Sequence, residues 1–351
     1  MPTLPTIDQK HLVDFLTQLL NTPSPTGIAA AAIALVDREL AQYSQVQLTR
    51  TRKGALVAKW EVASKLPPVA LTAHVDTLGA VVKEIKPNGR LRLSAIGGLQ
   101  WPSVETEGVW VIPAKSEKVR GSVLIDTASG HIYTAEKAAE TRRDEEHMEV
   151  RLDARTTSAA ETRALGIGVG DFVVFDPRVE VTNGFIRARH LDDKACVAVL
   201  AAAIKSLAGA GKTPARTTYF HISNYEEVGH GAAAGIPPDV HELVTVDMAV
   251  VGEGQESDEY HATLCLKDRA GPYHHGLSTK LRNIADAHGI AYKTDVYPHY
   301  GSDGEAFWRA GGDVAVALIG PGIDASHNYE RTHVDALLAT AQWVMAYLLS
   351  D

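Results

Sequence analysis

Two histidines and a small set of carboxylates fall where chemistry is easiest to build. His74-Val75-Asp76 follows an apolar run at 68–73, and Asp192-Asp193, Glu226-Glu227, Asp247 and His327 come later at long intervals. Imidazole nitrogens and carboxylate oxygens are donors for zinc, cobalt or manganese. Ions held this way polarise carbonyls and activate water, so the set points to hydrolysis. Each motif alone also has an ordinary reading. His-x-Asp at a strand end can be a turn, and Asp192-Asp193 before a helix can be N-cap chemistry. Glu226-Glu227 can be an exposed pair, and His327 lies in a polar stretch, 325–330, where it need have no task. Asp247 is harder to set aside. It ends the apolar run 243–246, and a buried carboxylate without a partner is costly.

The surrounding pattern supplies elements that can carry these residues. Leu12, Phe15, Leu16, Leu19 and Leu20 mark an amphipathic helix over 7–20, ended by the breaker cluster 21–27. An alanine-rich helix is expected at 28–43, with strands at 46–51 and 55–61. The run 68–73 reads as a buried strand that delivers His74 and Asp76 at its end. From 78 to 180 short β-like runs, such as 91–93, 109–112 and 172–175, are separated by Gly and Pro, which reads as a β-rich insertion. Within it the charged stretch 134–146 reads as a solvated loop or short helix. After 185 strands (185–188, 217–222, 243–246, 314–319) alternate with helices (193–207, 276–288, 334–349). That alternation predicts an α/β fold, a mostly parallel sheet covered by helices on both faces. In such sheets ligands bind beyond the carboxyl ends of the strands, where His74, Asp76, Glu226, Glu227 and Asp247 are expected to lie.

Composition narrows the classes. The 351 residues are 45% hydrophobic and 22% charged, an ordinary globular balance that excludes a disordered or disulfide-scaffold chain. Lys and Arg number 34 against 43 Asp and Glu, a formal charge of −9 that argues against a nucleic-acid partner. No apolar run is long enough to span a membrane, and the N-terminal residues do not read as a signal peptide. Cys196 and Cys265 are the only cysteines, which suits a reducing cytoplasm and excludes a cysteine-based zinc site.

Taken in order, the motifs resemble the M42 family of metallo-aminopeptidases, which includes the glutamyl and tetrahedral aminopeptidases. The resemblance rests on Ala73-His74-Val75-Asp76-Thr77-Leu78-Gly79, Gly97-Gly98, Leu191-Asp192-Asp193-Lys194, Glu226-Glu227-Val228-Gly229, Tyr300-Gly301-Ser302-Asp303-Gly304 and Ser326-His327-Asn328-Tyr329-Glu330-Arg331. It covers nearly the whole chain. Two stretches depart from the family pattern: the acidic segment 250–260 after Asp247, and Ala128-Ser129-Gly130-His131, which lacks a Pro-Pro before its histidine.

The resemblance implies roles. His74 and Asp247 would hold one divalent ion, Glu227 and His327 a second, and Asp192 would bridge them, joined to Asp193 by a cis peptide. Glu226 would be the general base, and Asp76 would hold the His74 imidazole through its other nitrogen. The two ions would be zinc, with cobalt or manganese as alternatives. They would sit about 3.5–4 Å apart and share a bridging water, which would attack the N-terminal peptide bond of a short peptide. The implied organisation is a discontinuous catalytic domain, 1–76 and 181–351, with an inserted dimerisation domain, 77–180. Homo-oligomers built from dimers, up to dodecamers, are common in the family. Two other readings remain at this stage: a di-metal amidohydrolase acting on a modified small peptide, and a scaffold that keeps the fold without catalysis.

Overall fold

The strand Val69–His74 is buried along its whole length. A strand with no solvent face takes parallel neighbours covered by helices. It lies between Thr218–Ser223 and Glu242–Val246, both parallel to it, and Ala315–Asp324 runs parallel to Glu242–Val246. The computed structural model, which describes residues 3–351, thus places four parallel strands at the centre of a 12-stranded sheet. Register then does the aligning. Ser223 stands opposite His74, Thr245 opposite Thr72, and the Asp247 amide bonds the Ile319 carbonyl at 3.1 Å. The carboxyl ends of all four strands therefore finish at one edge.

The sheet is mixed. Its outer strands are antiparallel: Val46–Arg50 with Leu56–Trp60, and Glu180–Thr182 with Phe185–Ala188. Connections this short can only reverse the chain. The alternation of strands and helices legible in the sequence describes the centre of the sheet, and the tight turns describe its edges. Two strands not read from the sequence, Ala262–Lys267 and Tyr292–Val296, complete the sheet beside Ala315–Asp324. Tyr292–Val296 has one buried residue, the polar Asp295, so it shows little hydrophobic pattern.

The helix Leu191–Gly209 is buried on nearly every side. Ala195, Ala198, Ala201, Ala202 and Ala203 keep it thin enough for helices Gln9–Leu20 and Val334–Leu348 to pack on it. Helix Gln9–Leu20 begins where Asp8 accepts the His11 amide at 3.0 Å, a cap worth about 1 kcal/mol. Among the described residues no helix is long and apolar enough to cross a membrane.

The chain divides into two compact units: the residues up to Thr77 with Arg178–Asp351, and Leu78–Pro177. The second unit is a closed six-stranded barrel around Val82, Leu93, Val109, Val111, Val123, Val150, Val173 and Phe175. Closure removes the strand edges that a small sheet would otherwise expose. The charged stretch 134–146 contributes the short helix Ala135–Glu140, capped by Thr134.

One glycine shows how tightly the sheet edge is set. A Cβ on Gly320 would lie 1.7 Å from the Asp247 carbonyl oxygen, a backbone atom with nowhere to go. Gly320→Ala is therefore expected to destabilise the protein by about 1–3 kcal/mol and to displace Asp247. Thermal unfolding and metal titration of the variant check this; an unchanged melting temperature with intact metal binding would refute it.

Candidate active site

Each strand end supplies one part of a common pocket. His74 closes its strand and is 2% exposed. Its Nδ1 lies 3.0 Å from the main-chain carbonyl of Asp76. A carbonyl only accepts, so Nδ1 carries a proton and Nε2 is the nitrogen turned to the carboxylates. Nε2 faces Asp192 Oδ1 at 3.1 Å and Glu226 Oε2 at 3.6 Å. The resemblance to the M42 family implies Asp76 as the partner of this imidazole. The closer contact comes from the Asp76 main chain, and the carboxylate stands 3.6 Å away. That carboxylate is spent elsewhere. It accepts the Thr26 hydroxyl at 2.6 Å and the amides of Glu226 and Glu227 at 3.2 and 3.4 Å.

Glu226 and Glu227 are sequence neighbours, and on a strand they would point opposite ways. The strand ends at Ser223. Tyr225 then takes a left-handed conformation with φ 69°, and Gly229 another with φ 83°. The resulting turn brings both carboxylates to the same side. Glu226 faces His74 as above, and Glu227 Oε2 lies 3.6 Å from His327 Nε2.

Asp192 sits between the two histidines: its other oxygen, Oδ2, is 3.5 Å from His327 Nε2. The peptide between Asp192 and Asp193 is cis, and both residues have non-helical backbone angles. Asp193 turns back to accept the His74 amide at 3.2 Å. His74, Asp193 and Asp247 offer donor atoms all within 4.8 Å of one another. In place of a helix cap, Asp193 thus serves the strand that carries His74. Since one of its oxygens serves the His74 backbone, Asp192, with an oxygen toward each imidazole, is the better placed bridge.

His327 comes from the turn after Ala315–Asp324, with φ 62°. Glu330 holds that turn. Its Oε1 accepts the His327 amide at 3.0 Å and its Oε2 the Asp192 amide at 3.1 Å, so one carboxylate sets two donors from distant parts of the chain. Asp303 has a similar part beneath the strands, accepting the hydroxyls of Ser223 and Thr72 and the Ala232 amide.

The electrostatics are those of crowded acid. Burial, then Asp247, pushes Glu226 well above the ordinary carboxylate range, and burial with Asp192 does the same to Glu227. Burial and Asp192 push Asp247 up to about 7. Burial also works against Asp192, but hydrogen bonds from His327 and His74 outweigh it and hold it below the usual value. Burial disfavours charge on His327, yet Asp192 and Glu227 raise it to about 10. Asp193 keeps a buried oxygen, Oδ1, with no hydrogen-bond partner. Buried carboxylates with unspent lone pairs beside two imidazoles fit divalent cations.

Parallel strands that end together, and a pocket of imidazoles and carboxylates at that end, define a hydrolase-type metal-site fold. Residues 54–343 match the M42 glutamyl aminopeptidase family. The chain belongs to that family and is a hydrolase of the aminopeptidase type. It is 44% identical over 342 residues to YhfE of Bacillus subtilis (strain 168), a protein named for aminopeptidase activity, covering 97% of this chain and 98% of the other. Two solved structures share the fold. Aminopeptidase APDkam598 of Desulfurococcus kamchatkensis has a TM-score of 0.87 at 19% identity, covering 98% of this chain and 96% of that one. The TET1 peptidase of Pyrococcus horikoshii has a TM-score of 0.84 at 20% identity, covering 97% and 100%. That peptidase assembles into a tetrahedron or a large octahedral shell.

Proposed function

We propose that the protein removes the N-terminal residue of short peptides with the help of two divalent ions. The observation that carries this reading is the position of Asp192, with one carboxylate oxygen toward each of two imidazoles. His74, Asp192 and Asp247 would hold one ion and Asp192, Glu227 and His327 the other. Zinc suits this donor set, and cobalt or manganese would also be accepted. When bound, such a pair polarises a peptide carbonyl and acidifies water.

The chain's own residues then have separable tasks. Glu226 takes a proton from the attacking water and returns it to the leaving amine. Its burial and the nearby Asp247 keep it a stronger base than a surface glutamate. The Nδ1–H···O=C contact fixes the His74 tautomer, so Nε2 stays a donor. Asp76 orients the turn that carries Glu226 and Glu227 through their amides.

We read the barrel unit as a dimerisation domain and the protein as a cytoplasmic homo-oligomer. Ile132 is 77% exposed and Tyr133 37%, and both border an open groove with Lys86, Arg90, Leu124 and Arg151. We take this adjacent pair of exposed apolar side chains at the groove as part of the subunit interface. Both cysteines are free and buried, as in reducing compartments.

Glu226→Gln is expected to keep the fold and both metals while lowering kcat by about 10²–10⁴-fold on free-amine dipeptides. Near wild-type turnover would remove Glu226 from the mechanism. Wild-type cleavage of N-acetylated but not free-amine dipeptides would overturn the aminopeptidase reading in favour of an amidohydrolase.

Asp192→Ala should weaken both metals together, whereas His327→Ala should empty mainly one site. Metal titration decides; identical single-site losses would remove Asp192 as the bridge.

Light scattering should give the intact protein a mass above that of one chain, and Ile132→Asp should reduce it. A strictly monomeric wild type at tens of micromolar would refute the oligomer.

A further inference from the structure

The loop 224–232 holds Glu226 and Glu227, and its shape depends on a residue that L side chains reach only with strain. Tyr225, immediately before Glu226, has φ 69°. A non-glycine residue is strained there and persists only where its surroundings hold it. The loop closes on itself: the His230 amide bonds the Tyr225 carbonyl at 3.1 Å and the Gly229 amide the Glu226 carbonyl at 2.6 Å. Asp76 anchors its entry and Asp303 its exit.

The remaining anchor comes from the short turn between strands Val46–Arg50 and Leu56–Trp60. Lys53 Nζ donates to the carbonyls of His230 and of Gly231, the latter at 3.1 Å. The same ammonium lies 5.5 Å from the centroid of the Tyr225 ring. That ring stacks on His230 at 5.3 Å with 21° between planes. The Asn224 side chain in turn donates to the Lys53 carbonyl at 3.0 Å. One cation thus grips both ends of the loop, the ring at its start and the carbonyls at its close. Cation–ring contacts of this kind contribute most when partly desolvated, and Lys53 is half-buried.

We propose that Lys53 is a positioning residue: it clasps the loop 224–232, holds Tyr225 in its left-handed conformation and so aims Glu226 toward Nε2 of His74. This rests on the aminopeptidase reading for its kinetic consequence, but the clasp itself is a property of the loop. Lys53 touches no reacting atom. Its effect is on where the Glu226 carboxylate points, and a misplacement of about 1 Å can cost on the order of 10²-fold in rate.

The test uses the full, metal-saturated protein. Lys53→Met should lower kcat on a free-amine dipeptide by about 10–10²-fold, with KM within about 3-fold and metal content unchanged. Lys53→Cys should behave alike until treated with bromoethylamine, which rebuilds an ammonium of nearly the same reach. Cys196 and Cys265 are buried, so the introduced thiol is the one that reacts. Recovery of kcat to within about 3-fold of wild type supports the clasp. Unchanged kcat in Lys53→Met, a loss explained by lost metal, or failure of aminoethylation to restore a folded Lys53→Cys would each overturn it. If Lys53→Met does not fold, treated against untreated Lys53→Cys decides. If the wild type cleaves no peptide, the aminopeptidase reading has failed on its own. Hydrogen exchange at the Gly229 and His230 amides then reads the clasp: faster exchange in Lys53→Met supports it, and unchanged exchange overturns it.

Discussion

The structure is organised around the cost of gathering carboxylates away from water. Asp192, Asp193, Glu226, Glu227 and Asp247 share one pocket with two imidazoles. An isolated buried carboxylate either takes up a proton or finds a positive partner. Burial and mutual repulsion push most of these groups toward the protonated form. Such a cluster is tolerable in a stable fold when divalent cations replace the protons. The rest of the architecture can be seen as the means of holding these like charges close together: backbone amides to Asp76 and Glu330, hydroxyls to Asp303, and a buried helix fixing Asp192.

The parallel centre of the sheet solves the geometric half of the problem. Donors far apart in sequence meet because neighbouring parallel strands end at the same level. This much was legible beforehand. The runs 68–73 and 243–246 are almost wholly apolar and point to buried strands with a carboxyl end to use, and the more polar run 217–222 falls in with them through the alternation of strands and helices around it. Two adjacent glutamates can serve one pocket only where the backbone turns, and the positive φ of Tyr225 and Gly229 supplies that turn.

Other features lay outside what pattern can convey. Glu330 looks like one more polar residue in a loop, yet it is 2% exposed and joins the His327 and Asp192 amides. Thr26 belongs to a breaker cluster, and nothing local signals that its hydroxyl meets Asp76. Asp193 reads as a helix cap because caps are the commonest use of Asp at that position. In the structure its carboxylate accepts the His74 amide instead. In each case the information is in the tertiary pairing of distant segments, which periodicity and spacing do not encode.

The route of the polypeptide through the sheet also sets a timetable. The strand ending in His74 is made early, and the barrel is made before Asp192 emerges. His327 arrives only after the last long strand, and helix Val334–Leu348 then covers the buried helix that begins beside Asp192. During synthesis the ribosome therefore displays only fragments of the donor set. The donor set is complete in the chain only once His327 has been added, so a shorter growing chain lacks one of the two imidazoles of the cluster.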